Sequence, residues 1–291
     1  MKEIDFDYIK SHLPERPCDA HKGTMGTLVS VCGSYGYCGA AILSAKAALK
    51  TGVGLMYQIL PSCIYPIFAS NVHECVCLVT ENSIDNTVSY NSAEFIIDKI
   101  NSATAGLIGC GLKNTKDVQK LTVDVIRRSN VPLLIDADGI NALSLNIDVL
   151  DQAKSEIVLT PHPKEFSRLT GLDVKYICDN REKTALDFTS KHKNVTLVLK
   201  GNRTIIAKGR EVFVNTIGNS GMAKGGSGDV LSGIISSLMA QGTVPFDAAK
   251  MGVYIHAFCG DTAAKKYSKT SMLPSDIIKC LNEFFIKAEE N

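Results

Sequence analysis

Apolar positions along the chain fall into two alternating rhythms. Short β-branched runs bounded by glycine or proline predict strands over residues 27–33, 54–60, 72–79, 105–109, 132–136 and 157–160. Helical spacing lies between several of them. Residues 39–51 (GAAILSAKAALKT) are rich in alanine, free of proline and followed by Gly52, a natural helix stop. Within 115–128, Val118, Leu121, Val125 and Ile126 repeat on one helical face. Residues 195–200 and 203–207 predict a hairpin closed around Gly201 and Asn202, with 211–214 as a third member. After Asp229, Val230, Leu231, Ile234, Ile235 and Leu238 share a helical face, and two more helices are predicted near 246–267 and 275–287. Strands alternating with helices predict an α/β fold, a mainly parallel central sheet with helices on both faces and antiparallel strands at one edge. No linker, repeat or low-complexity stretch divides the chain, so residues 1–291 are read as a single domain.

Charge and cysteine usage narrow the setting. A formal net charge of +1 gives no global field to attract nucleic acid or an anionic membrane, so an anionic ligand must be held locally. The N-terminal residues MKEIDFDYIKSHLP lack the apolar run of a signal peptide, and no stretch approaches the roughly 20 apolar residues of a membrane span. The ten cysteines sit singly inside apolar segments such as TLVSVCG and YIHAFCG; Cys75 and Cys77 have no second pair at zinc-like spacing. Reduced thiols in a cytoplasmic protein are the expectation.

The chemistry concentrates in residues 218–233, GNSGMAKGGSGDVLSG. Gly225, Gly226 and Gly228 surround Ser227, and Asp229 stands where an amphipathic helix begins. Glycines allow a ligand close to the backbone, while first-turn N–H groups and the helix dipole attract an anion. A carboxylate beside such an anion can take a proton from a substrate hydroxyl. The plainer alternative is a glycine-rich turn capped by Asp229. Neither a P-loop nor a dinucleotide fingerprint occurs: Lys224 precedes its glycines, and Gly109-Cys110-Gly111 is followed by Asn114 at the third glycine position. Elsewhere, Asp136 and Asp138 close a strand where open sheets bind ligands, which makes them metal candidates or ordinary turn residues. Glu165 reads as a helix-start carboxylate, Lys200 as a cation at a hairpin corner, and Met222 and Met251 as core.

Four segments resemble the ADP/ATP-dependent NAD(P)H-hydrate dehydratases of the ribokinase-like superfamily: DADGINAL (136–143), TPHPKEF (160–166), LKGNRTII (199–206) and the glycine-rich stretch. HKGTMGTLVSVCGSYGYCGAAILSAKAAL (21–49) extends the likeness to His21. The resemblance implies a ribokinase-like fold without an epimerase domain. It implies phosphorylation of the C6 hydroxyl of (S)-NADH or (S)-NADPH hydrate by ADP or ATP, with Mg²⁺, and elimination of phosphate to restore the reduced cofactor. It makes Asp229 catalytic, with Gly226 and Gly228 in the anion hole. Lys200, Gly201, Asn202, Arg203, Thr204, Gly225, Ser227 and Gly228 would bind nucleotide. Ala40, Gly111, His162 and Asp229 would face the hydrate; metal ligands stay unassigned. A homo-oligomer, with a tetramer suspected, is also implied. The family's common GNPGMATGGTGD appears here with Ser220, Lys224 and Ser227, so a hydroxyl is kept and Lys224 adds a cation within possible reach of phosphate. Gly139 replaces the usual alanine. The rival reading is an ATP-dependent kinase of a small alcohol, such as a sugar or vitamin precursor, using the same Asp229.

Overall fold

Ten strands join in one sheet, in the order β1-β10-β9-β8-β7-β6-β5-β2-β3-β4. In the computed structural model, which describes residues 2–290, they are β1 (Lys2–Glu3), β2 (Thr27–Val31), β3 (Leu55–Pro61), β4 (Val76–Thr80), β5 (Ala105–Ile108), β6 (Leu133–Ile135), β7 (Ile157–Leu159), β8 (Val195–Leu199), β9 (Ile205–Lys208) and β10 (Glu211–Val214). Strands β2 to β8 run parallel, while β8-β9 and β9-β10 pair antiparallel. The predicted antiparallel edge is therefore present. It is extended by β1, which lies parallel to β10 and is too short to leave a periodic signal.

Alternation sends successive side chains of each strand to opposite faces. Leu28, Leu134, Val158 and Val198 enter one buried cluster with the helices Cys38–Lys50, Ser227–Ala240, Pro245–Ser271 and Pro274–Glu289. Val29, Leu133, Ile157 and Leu197 enter the other, against Ala93–Asn101, Lys116–Arg128, Ala137–Leu143 and Arg181–Lys191. Both faces of the sheet are covered, which is why its strands read as unbroken apolar runs.

The predicted boundaries shift by a few residues, with one larger difference. β4 starts at Val76 and not at Val72, because Val72 closes the turn after the Tyr65–Ala69 helix by donating its N–H to Phe68. Met251 is fully buried, as read; Met222 is half-buried and faces a cavity.

Two glycines let the layers close. Gly109, just past β5, has φ +130°, and a Cβ there would stand 1.9 Å from the Asp136 carbonyl oxygen. Gly233 allows Ser227–Ala240 to pack on Cys38–Lys50, since its Cβ would stand 2.2 Å from the Ser44 carbonyl oxygen. Gly233→Ala is expected to force the two helices apart at a cost of about 1–3 kcal/mol. Thermal unfolding would show it as a drop of roughly 2–4 °C per kcal/mol; an unchanged melting temperature would mean that the contact is soft.

Candidate active site

Strand ends set the positions of the reactive groups. β6 delivers Asp136, β7 leads to His162, β8 delivers Lys200, and β5 leads into Cys110, all at the carboxyl edge of the parallel sheet. The Ser227–Ala240 helix aims its first turn at the same edge. A cavity of about 990 Å³ opens there, and its lining includes Lys200 to Thr204, Gly225 to Asp229, and His162. Every predicted nucleotide-binding residue and the predicted catalytic aspartate thus face one space. Ala40 and Gly111 lie outside its lining. They meet each other instead, with the Ala40 Cβ 2.8 Å from where a Cβ on Gly111 would stand.

An ion pair organises the floor. Lys200 Nζ donates to Asp136 Oδ1 at 2.8 Å, and Ser232 Oγ donates to Asp136 Oδ2 at 2.7 Å. Glu165 Oε2 lies 3.9 Å from the same ammonium. Burial pushes the Asp136 carboxyl up, but the Lys200 charge and hydrogen bond, with that of Ser232, hold its pKa below the usual range. Burial would lower Lys200, yet Asp136 and Glu165 keep it raised. Lys200 is therefore not the solvated hairpin lysine that its place beside glycine suggests.

Asp229 has the opposite environment. Burial first, then the negative charge of Asp136, raises its pKa to about 6. It is the third residue of its helix, whose N-cap is Gly226 at φ +98°, so the capping alternative does not hold. Gly228 lies close under the ammonium: a Cβ there would stand 3.3 Å from Lys200 Nζ. First-turn N–H groups without intrahelical partners, the helix dipole and the adjacent ammonium together make a site for a phosphoryl group.

The cavity's remaining walls are tied down by their backbone. Lys200 N–H donates to the Pro161 carbonyl, joining the TPHP turn to the nucleotide loop. Arg181 Nη2 donates to the Leu199 carbonyl at 2.7 Å and its guanidinium lies against Gly201. Asp261 accepts from Gly218 N at 2.9 Å and Asn219 Nδ2 at 2.8 Å. His162 caps the Pro163–Thr170 helix: its Nδ1 accepts from Glu165 N at 3.1 Å, and Glu165 Oε2 accepts from His162 N at 2.8 Å. Glu165 is a helix-start carboxylate, as read. Burial and the Lys200 charge lower the His162 pKa.

One reading is corrected: the Lys224 ammonium is tied to the Thr270 and Met272 carbonyls, to which Nζ donates at 2.7 and 2.6 Å. Of the two alternatives for Asp138, its contacts are those of a turn residue: Oδ2 accepts from Lys113 N at 2.7 Å and Oδ1 from Asn141 at 3.4 Å. Cys110, Asp136 and Asp229 do bring ligand atoms within 4.8 Å of one another. That trio does not suit Mg²⁺, a hard cation that takes oxygen ligands. Its thiol is soft and held protonated by its contact with Cys32 and by burial, and both Asp136 oxygens are engaged.

Sequence reasoning missed His256, Arg181, Cys110 and Asp261. His256 and Asp261 sit in a helical apolar stretch that reads as core, and the only signal was polar residues interrupting it.

Lys200→Met tests the ion pair. It strands Asp136 as a buried charge, and breaking such a pair costs about 3–5 kcal/mol. Without its partner the folded Asp136 pKa would rise above its unfolded value, so the deficit should shrink as pH falls from 7 to 5. Urea unfolding at the two pH values checks this; an equal loss at both would place the cost in packing.

Comparisons with known proteins bear on the family and the fold. A family model described as NAD(P)H-hydrate dehydratase matches residues 28–283. The ADP-dependent (S)-NAD(P)H-hydrate dehydratase of Neisseria meningitidis is 35% identical over 84% of this chain and 79% of its own length. The chain spans about half the length of the bifunctional NAD(P)H-hydrate repair enzymes it matches. Among solved structures, the ADP/ATP-dependent NAD(P)H-hydrate dehydratase of Bacillus subtilis, co-crystallised with ATP and Mg²⁺, superposes with TM-score 0.84 at 27% identity, covering 99% of each chain. A ribokinase-like superfamily protein of Enterococcus faecalis superposes with TM-score 0.85 at 28% identity, over 100% of this chain and 97% of its own. With a ribokinase-like α/β fold and a family match over most of its length, this chain belongs to the NAD(P)H-hydrate dehydratase family.

Proposed function

We propose that this chain restores NADH and NADPH from their (S)-hydrates, using ADP or ATP as phosphoryl donor. The observation that carries the reading is the convergence, in one cavity, of a desolvated Asp229 with the glycine-rich helix start and Lys200. Asp229 takes the proton of the C6 hydroxyl as its oxygen bonds to the terminal phosphorus of the nucleotide. The bridging oxygen leaves with AMP or ADP. Gly226, Gly228 and the helix start hold the transferring phosphoryl oxygens, and Lys200 with residues 201–204 and Ser227 holds the nucleotide. The ring nitrogen lone pair then expels phosphate by breaking the C6–O bond, and loss of the C5 proton regenerates the dihydronicotinamide. His162 lines the same space, and Ala40 and Gly111 belong to the substrate side on the family likeness.

Mg²⁺ enters this reading only as the counter-ion of the nucleotide phosphates, because the nearby side chains do not form a cage for it. Action as one dehydratase domain, a cytoplasmic setting and a homo-oligomeric, tetrameric assembly rest on the resemblance. Among the described residues no helix is long and apolar enough to cross a membrane. A small-alcohol kinase would share Asp229 and the anion hole, and the family match favours the dehydratase.

The decisive assay mixes the protein with hydrated NADH, Mg²⁺ and either nucleotide and follows the near-ultraviolet absorbance of the reduced ring. A nucleotide-dependent rise is expected; no rise from protein that binds nucleotide would transfer the reading to the kinase. Asp229→Asn should lower turnover about 10²–10⁴-fold while nucleotide affinity changes only a few-fold. Because the active form of Asp229 is the carboxylate, the wild-type rate should fall tenfold per pH unit below about 6.

The same residue should cost stability. Its folded pKa stands above the unfolded value, so ionisation destabilises the fold increasingly from pH 4 to 6 and then to a constant extent. Asp229→Asn is expected to be more stable than wild type at pH 7–8 by roughly 1–3 kcal/mol and equal to it near pH 4. Denaturant unfolding across that range would detect it, and equal stability throughout would show that Asp229 is not desolvated.

A further inference from the structure

His256 lies on the Pro245–Ser271 helix, is only 8% exposed, and lines the cavity behind the glycine-rich turn. Its Nε2 is 3.3 Å from Ser227 Oγ, itself buried at the first position of the Ser227–Ala240 helix. Burial and the Lys200 charge lower the imidazole pKa to about 4, against a smaller opposing contribution from a hydrogen bond to the Ser227 backbone, so the ring is neutral at physiological pH and carries one N–H.

That single proton decides what the Ser227 hydroxyl can do. If Oγ–H points at an unprotonated Nε2, only oxygen lone pairs are left for the cavity, and they repel a phosphoryl oxygen in a site of low dielectric. If Nε2 carries the proton, the ring donates to Oγ and the hydroxyl hydrogen is free to turn toward the ligand. A site whose other contributions are N–H groups, a helix dipole and an ammonium gains one more donor only in the second arrangement.

We infer that His256 is a positioning residue, a neutral Nε2–H donor that fixes the Ser227 hydroxyl as a hydrogen-bond donor to the phosphoryl group of the bound nucleotide. The inference deepens the dehydratase reading and rests on it for the turnover measurement alone.

The test compares His256→Leu, Ser227→Ala, the double variant and His256→Gln, whose amide can donate in place of the ring. Each single apolar variant should lower kcat on the order of 10–10²-fold, below the usual loss for deleting a transition-state donor outright. The double variant should be no worse than either single one, and His256→Gln should recover activity to within a few-fold of wild type. Losses that multiply, or a His256→Leu that lowers only the melting temperature, would overturn the assignment. Two further measurements do not depend on turnover. The ¹⁵N spectrum of the ADP-bound protein should show Nε2 protonated, and an Nδ1–H tautomer would refute the role. The ADP affinity should fall together in His256→Leu and Ser227→Ala and no further in the double variant; an affinity loss confined to one of them would count against it. Absence of dehydratase turnover in wild type would sink the dehydratase reading, while the tautomer and ADP arms would still decide the role of His256.

Discussion

The Lys200–Asp136 pair is the interaction around which the rest of the site is arranged. It joins the ends of β6 and β8, and through Ser232 it fastens the glycine-rich helix to the sheet. Gly109 leaves room for the Asp136 backbone, and Gly228 leaves room for the Lys200 ammonium. Neither charge is well tolerated there alone, because breaking a buried pair costs about 3–5 kcal/mol, a large share of a protein's net stability. The pair therefore fixes two strand ends and a helix start in one place.

Its electrostatic effect on its neighbours is uneven. Burial first, and the ammonium's charge after it, depress the pKa values of His162 and His256, while the ammonium lowers that of Asp229 less than burial and Asp136 raise it. Two aspartates in one pocket thus acquire different characters: Lys200 and Ser232 favour the anion of Asp136, while burial and Asp136 raise the Asp229 carboxyl to about 6. Such separation of similar groups by environment is what the proposed general-base role of Asp229 draws on.

Much of this was legible from the residues. The strands and their parallel majority follow from apolar runs that only a doubly covered sheet explains, and the 195–214 meander identifies the antiparallel edge. The glycine-rich segment 225–229 points to the cavity, whose wall it forms at the start of an amphipathic helix. What stayed hidden depends on distant partners. Lys200 reads as a surface lysine until β6 brings Asp136 beside it, and Lys224 reads as a phosphate ligand until the end of the Pro245–Ser271 helix claims its ammonium. His256 is hidden for a third reason: it lies in a helix so apolar that a polar residue there passes for core.

The two lysine misreadings share a cause. A cation in a glycine-rich loop has several acceptors within reach, and the nearest carbonyls win unless a carboxylate is brought closer. Lys224 is held by two carbonyls, whereas Lys200 is the ammonium paired with Asp136. In the proposed reaction, a second unpaired cation in the cavity would bind substrate and product nucleotide alike, and such uniform binding does not accelerate the chemical step. Backbone N–H groups and the Ser227 hydroxyl are neutral and directional, and in that reaction they would favour the transferring phosphoryl over its ground state.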